Sequence, residues 1–509
     1  MAEGINQSGQ MSLRQYSNPD VFHAWEGDSA SITTLSDTYF NQIDNAIGTE
    51  LTGFTVKANN SNSQYQVIAG QKLYLSGRMA TLYNQTYQTV LPATINRLVT
   101  SSPASQFIRL PGNGVTIYTV DNGNKLPIGS TDILKAWAPN GDINVNVLNQ
   151  GFLNLLSTGA TISGYEADVS GQLYVMDGKK YQVATGLDSA YRTGSVASVS
   201  TGLMDLFTTS AATGFIKGPG PEVYLIDAGT KKHIPSIEAW QQWNGSRGEV
   251  ITQLSSAALS QFTGAGEANF YFSADDINYV VDNGVYHSVS APVAVDWNLS
   301  SPSTISTATR DRFTAGAALQ SKVKVGNTYY RVKYGKSHAT TDPNLANIWG
   351  VDSSPTEISQ NLISRVATGP ILNIFAKSTD PNDKRIFLVD NGGSSFYHIT
   401  TGEQMLNYGY NGGDIVAVNN TDIGTAGIAL NLIKTATSGS ERVVDGGAKR
   451  GFTNDTVKGH WVTEGNVLTV SSGLWNRLST GAAVTGNIKG SLPNVYTVDA
   501  GQKRWIQGQ

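Results

Sequence analysis

The chain has 509 residues, a formal net charge of −4 and no cysteine, which excludes disulfides, thiol catalysis and cysteine-ligated metals. Charged residues make up only 15%, against about 25% in ordinary soluble proteins, and no basic cluster of the kind that neutralises phosphates stands out, which argues against nucleic acid as a partner. No run approaches the roughly 18 apolar residues of a membrane-spanning helix, and Met1 to Gln10 has neither the basic nor the apolar part of a signal peptide.

After a tail over residues 1–12, Leu13 to Phe22 reads as a return strand running into a helix start. The same brick then recurs to the end of the chain. Its marker is an aromatic residue seven or eight positions after a short hairpin: Trp25, Tyr83, Trp137, Tyr191, Trp243, Trp297, Trp349, Tyr408 and Trp461. The steps are 58, 54, 54, 52, 54, 52, 59 and 53 residues. A period of this order, roughly 20–50 residues, marks a solenoid or propeller.

The hairpins carry an aromatic-x-x-Asp signature. Tyr118-Thr-Val-Asp121 and Tyr174-Val-Met-Asp177 are followed by Tyr224-Leu-Ile-Asp227 and Tyr279-Val-Val-Asp282, the last turning at Asn283-Gly284. Phe387-Leu-Val-Asp390 and Tyr496-Thr-Val-Asp499 keep the spacing. Arg442 replaces the aromatic before Asp445, while Tyr65 and Tyr330 have Ile68 and Lys333 where the aspartate belongs. A short polar residue before Asn-Gly, Ala-Gly or Gly is a turn former, the reading given to these aspartates.

The fourth copy is the clearest. Glu222 to Asp227 is a strand apolar on both faces, Ala228-Gly229 turns it, and Lys232 to Ile234 returns. Ser236 is placed to cap a helix carrying Trp243, Val250 to Leu254 reads as a third strand, and Ser255 caps a second helical turn that Gly264 ends. The fold class is therefore mainly β with short helices: about nine repeats of ~54 residues in a single domain over residues 13–509. Both terminal units are incomplete, and together they roughly complete one unit, although Lys503 to Ile506 already supplies a return strand, so that the two ends overlap. Closure of a β-propeller-like ring by that shared unit is the expected shape, since closure removes exposed sheet edges; an open solenoid of the same repeats is the alternative.

Val223-Tyr-Leu-Ile-Asp-Ala-Gly-Thr-Lys-Lys-His-Ile-Pro-Ser236, Gln502-Lys-Arg-Trp-Ile506 and Arg14-Gln-Tyr-Ser-Asn-Pro-Asp-Val-Phe22 resemble parts of a tandem repeat of bacterial extracellular and cell-surface proteins, approximately VYLVDGGxKRWIPDPxTF, whose hairpins also occur in some phage tail proteins. The resemblance implies an exported, non-enzymatic module and brings no established ligand residues with it.

Candidate binding residues are those the period leaves unexplained. His233, His287, His338 and His398 fall on return strands of four consecutive units and would share a face in a ring; a metal reading is set aside because units stand too far apart for bonds of about 2 Å. Trp240, Tyr397, Tyr410 and Trp475 lie outside the aromatic period and suit stacking against sugars. The nine periodic aromatics are expected in the core. No P-loop, H-E-x-x-H or G-x-S-x-G is present, so no catalytic residue, metal or cofactor is assigned. The expected role is a non-enzymatic scaffold, extracellular, at the cell surface or on a virion, that adheres to surface glycan or protein. A phage tail or receptor-binding component and a polysaccharide hydrolase with a site between units are the alternatives.

Overall fold

A computed structural model describes residues 2–5, 11–27, 30–32, 34, 51, 54–112, 115–463, 465–500 and 502–506. Its strands form eight five-stranded sheets, a two-stranded ribbon of Ala2–Ile5 with Met11–Arg14, and a three-stranded sheet ending at Gln502–Trp505. The chain is mainly β with short helices, as its turn-rich, β-branched composition implies.

Every complete sheet has one construction, seen well in the fourth. Phe215–Lys217, Val223–Asp227 and Thr230–His233 form an antiparallel meander. Helix Ile237–Asn244 follows, and Thr252–Gln253 then pairs parallel with the first strand of the meander. Helix Ser256–Ser260 returns the chain to the opposite edge, where Thr263–Glu267 pairs parallel with the third strand. The predicted hairpin is thus the second half of a meander. The expected strand Val250 to Leu254 is the outer Thr252–Gln253, whereas the first strand Phe215–Lys217 and the opposite outer strand Thr263–Glu267 were missed because both are weakly patterned. The helix caps behave as their sequence implies: Ser236 accepts from Ala239 N–H and Ser255 from Ala258 N–H.

The closed ring is overturned. The strands lie in separate sheets, none of which closes on itself, because the two short parallel strands terminate each sheet on both sides. Successive repeats are joined by helix ends and side chains instead of strand pairing.

Contacts divide the chain into two compact units, residues 1–234 with 249–268, and residues 235–248 with 269–509. Helix Ile237–Asn244 therefore belongs to the second unit, although its sheet belongs to the first. Each unit has its own core, built on Phe107, Phe152, Trp137 and Tyr191 in the first and on Phe375, Phe387, Val323 and Trp349 in the second. Eight of the nine periodic aromatics are buried, none more than 4% exposed; Trp461 is half-buried.

Candidate functional site

The recurring polar residues turn out to hold one repeat to the next. Periodic aromatics reach the chain entering the following sheet: Tyr83 donates to the Ser105 carbonyl (2.8 Å), Trp137 to Gly164 (3.0 Å), Trp297 to Gln320 (2.9 Å) and Trp349 to Asn373 (2.7 Å), whereas the Trp461 indole N–H has no partner among the described residues. The residue just before the aromatic accepts from the glycine in the next hairpin turn. Gly123 donates to Leu82, Gly178 to Ala136, Gly229 to Ala190, Gly284 to Gln242 and Gly447 to Asn407, all at 2.7–2.8 Å. At Gly229 the turn needs φ of +72°, and a Cβ would stand 2.5 Å from the Arg192 carbonyl oxygen, so only glycine fits.

The aspartates do more than precede turns. The turn itself is made by Asn122-Gly123, Ala228-Gly229 or Asn283-Gly284, both residues at positive φ. The preceding carboxylate reaches forward to the serine that caps the second helix of the following repeat. Ser255 donates its N–H and its hydroxyl to the two oxygens of Asp177, each at 2.6 Å. Asp121 holds Ser200, Asp282 holds Ser359 and Asp390 holds Ser471 in the same way, with N–H distances of 2.7–2.8 Å. A lysine on the third strand closes the other end of that helix within its own repeat. Lys125 donates to Leu153, Lys180 to Met204, Lys231 to Leu259 and Lys449 to Trp475, at 2.8–3.0 Å, where a cation suits the helix C-terminus.

The sixth repeat breaks this pattern. Lys333 stands where the aspartate belongs, and the facing helix Asn420–Ile423 carries Asp422. Lys333 Nζ lies 3.0 Å from Asp296 and 3.6 Å from Asp422. Burial pulls its ammonium down, but the two carboxylates outweigh that and hold its pKa above the ordinary value. A cation replaces the usual carboxylate here, and a carboxylate stands on the facing helix, which elsewhere offers a neutral serine. Lys333→Asp should therefore gather three carboxylates and cost about 1–3 kcal/mol, less than a fully buried pair because the lysine is partly solvated; Asp422→Asn in that background should restore part of the loss in a urea titration.

The four histidines do not share one register. His287 and His338 stand opposite Gly316 and Gly369, one residue earlier on the return strand than His233 and His398. Neighbouring strand positions point to opposite faces. His287 and His338 are buried, and their Nδ1 atoms bond the carbonyls of Ala317 (2.7 Å) and Pro370 (2.8 Å). A Cβ on Gly316 or Gly369 would meet the imidazole at 2.5 Å, so these glycines make room for the rings. His233 and His398 are half-buried beside Tyr224 and Phe387. Among the described residues no three histidine or acidic side chains come together as a metal site would need.

Burial lowers the pKa of His338 below 6.5; the Pro370 carbonyl opposes this, and Arg331 and Lys336 add to it. A folded-state value below the unfolded one means that the unfolded chain takes up the proton first. Stability supplied by this site is present above pH ~6.5 and falls on acidification. His338→Gln, which keeps a donor for Pro370, should flatten the loss of stability measured between pH 7 and 5.

The non-periodic aromatics are half-buried and scattered. Tyr397 packs over Gly427, and Trp475 lies under Arg442 and Lys449. Trp240 has an indole N–H with no hydrogen-bond partner. Tyr410 meets Phe375 edge-on, donates to Gly413 and lines a cleft of ≈ 330 Å³ with Tyr408, Asn373 and Arg477. A second cleft of ≈ 400 Å³ lies in the sixth repeat, lined by Gln320, Ser321, Lys322, Arg331, Trp349 and Val351. Of its residues only Trp349 was picked out from sequence, and that as a core aromatic, although the run 322–336 holds five cations and no acid, a signal that was available.

No family model and no curated protein matches the chain. Among solved structures it overlaps weakly with the periplasmic assembly from the ESX-5 inner membrane complex, at 9% identity over 52% of this chain and 92% of that one, with a TM-score of 0.11. An intact ESX-5 inner membrane complex gives 12% identity over 66% and 83%, also with a TM-score of 0.11. Overlap at this level carries no argument about fold or function. Among the described residues no helix is long and apolar enough to cross a membrane.

Proposed function

We propose that the chain is a non-catalytic binding scaffold of the cell exterior, presenting the residues that depart from its repeat to a surface glycan or protein. The reading rests on how the periodic polar groups are used. In Asp121, Asp177, Asp282 and Asp390 both carboxylate oxygens accept from a serine of the following repeat. A carboxylate held in that way is a fastener, unsuited to passing protons to a substrate. Selection for such junctions gives a rigid body on which individual repeats are free to diverge, as in other repeat binders. The sixth repeat, with its altered junction and its open cleft, has diverged most visibly. The resemblance to exported bacterial repeats agrees with this reading.

A glycan array and an affinity capture from cell envelopes test it together. Reproducible retention of a defined glycan or envelope protein is the expected result. Silence in both, or turnover of a polysaccharide abolished by one carboxylate substitution, would remove the proposal.

A further inference from the structure

The sixth sheet places three basic side chains in a row. Lys322 pairs with Arg331, and Arg331 pairs with His338 on the next strand. Directly paired residues project to the same face, where like charges repel. Lys322 and Arg331 form no ion pair among the described residues; the nearby carboxylates of Asp296 and Asp422 are taken by Lys333. The Arg331 guanidinium lies 4.7 Å over the Trp349 ring, and its Nη1 is buried with no hydrogen-bond partner. Burial holds its pKa below the usual arginine value in spite of those two carboxylates. A guanidinium nitrogen buried without a partner, beside a lysine, costs stability that another group would offset.

The cleft it lines supplies the place for that group. At ≈ 400 Å³ it falls within the roughly 300–1,000 Å³ of small-ligand sites. Its wall offers a planar guanidinium for a two-pronged contact, a lysine for charge, and the Gln320 amide oxygen for a neutral polar contact, the Gln320 amide nitrogen and the Ser321 hydroxyl already donating to Ser354 and Asp296. That combination matches a carboxylate attached to a hydroxyl-rich ring.

We propose that this cleft binds the carboxylate of an acidic sugar, so that the ligand of the scaffold is a uronic-acid-bearing polysaccharide, with Arg331 and Lys322 as its anion contacts. The inference rests on the glycan reading above and narrows it to one chemical class.

The test is calorimetric titration of the full chain with oligogalacturonate, a neutral glucan oligomer of equal length, and polyglutamate. Binding of the oligouronate alone is expected, weakening with salt. Arg331→Gln should lower its affinity by about 10-fold or more, as loss of a charged hydrogen-bonding group does. Lys322→Gln should lower it severalfold with unchanged thermal unfolding, since no side-chain hydrogen bond or ion pair of Lys322 among the described residues is lost, and keeps the test valid if the arginine variant fails to fold. Equal binding by wild type and both variants, or no binding of oligouronate, overturns the site. Retention of a neutral glycan on the array would then leave the scaffold reading standing. Polyglutamate binding at the same two residues without oligouronate binding overturns the sugar assignment.

Discussion

Trp137→Ala should destabilise the first compact unit by about 3–5 kcal/mol, the usual cost of emptying a large aromatic site. The indole is 1% exposed and packs within a core that draws on successive repeats. Its Nε1 also donates to the Gly164 carbonyl on the way into the next sheet. Truncation therefore leaves both a cavity and a carbonyl without its partner, and it does so at a junction. Trp137→Phe separates the two effects. It keeps most of the apolar volume and should cost less, about 1–3 kcal/mol for the orphaned carbonyl and the remaining gap. Urea unfolding followed by tryptophan fluorescence and by circular dichroism reads both variants. A Trp137→Ala loss below about 1 kcal/mol would mean that the periodic aromatic is not the packing element of this fold.

Asp390→Ala should cost about 2–4 kcal/mol, because two hydrogen bonds to a charged acceptor disappear together. The loss falls on Ser471, whose N–H and hydroxyl both point at that carboxylate, and on the start of helix Ser472–Arg477. The serine still caps its own helix through Leu474 N–H, so the helix persists while its attachment to the preceding repeat weakens. Ser471→Ala removes the attachment and the cap together. In a double-mutant cycle the two changes should show coupling of about 1–2 kcal/mol. Additive losses would reduce Asp390 to a turn residue. Asp445 supplies a contrast, since it is exposed and bonds Arg450 instead; Asp445→Ala should shift stability by less than about 1 kcal/mol.

The two experiments bear on different parts of the same joint. Packing of the aromatic is non-directional and tolerates exchange of Trp for Tyr, which the chain uses freely. The Asp–Ser pair is directional, so its loss elsewhere has to be matched on both sides. Lys333 with Asp422 is such a match, and Ile68 shows the other solution, a buried apolar side chain at the same position.

Much of the local architecture was legible in the residues themselves. The period, the hairpin turns, the serine caps and the burial of the aromatics all follow from short-range patterning, because φ preference, capping and side-chain size act over a few positions. Ser236 and Ser255 are caps in the structure for the reason their sequence suggested. Of the outer parallel strands, Thr252–Gln253 falls inside the expected strand Val250 to Leu254, but those on the opposite edge were obscure, being defined by partners some 30 residues away and carrying little pattern of their own.

Only the tertiary structure decided what joins the repeats. Asp282 and Ser359 are 77 residues apart, and nothing in either neighbourhood names the other. Nor did periodicity determine closure, which depends on how each sheet ends. The Arg331 cleft was hidden for a related reason: a strand alternates its faces, and two cations and a histidine become one row only when pairing sets Lys322, Arg331 and His338 side by side. Local preferences shape the brick. Register and long-range hydrogen bonds, which no short window of residues contains, determine how it is laid.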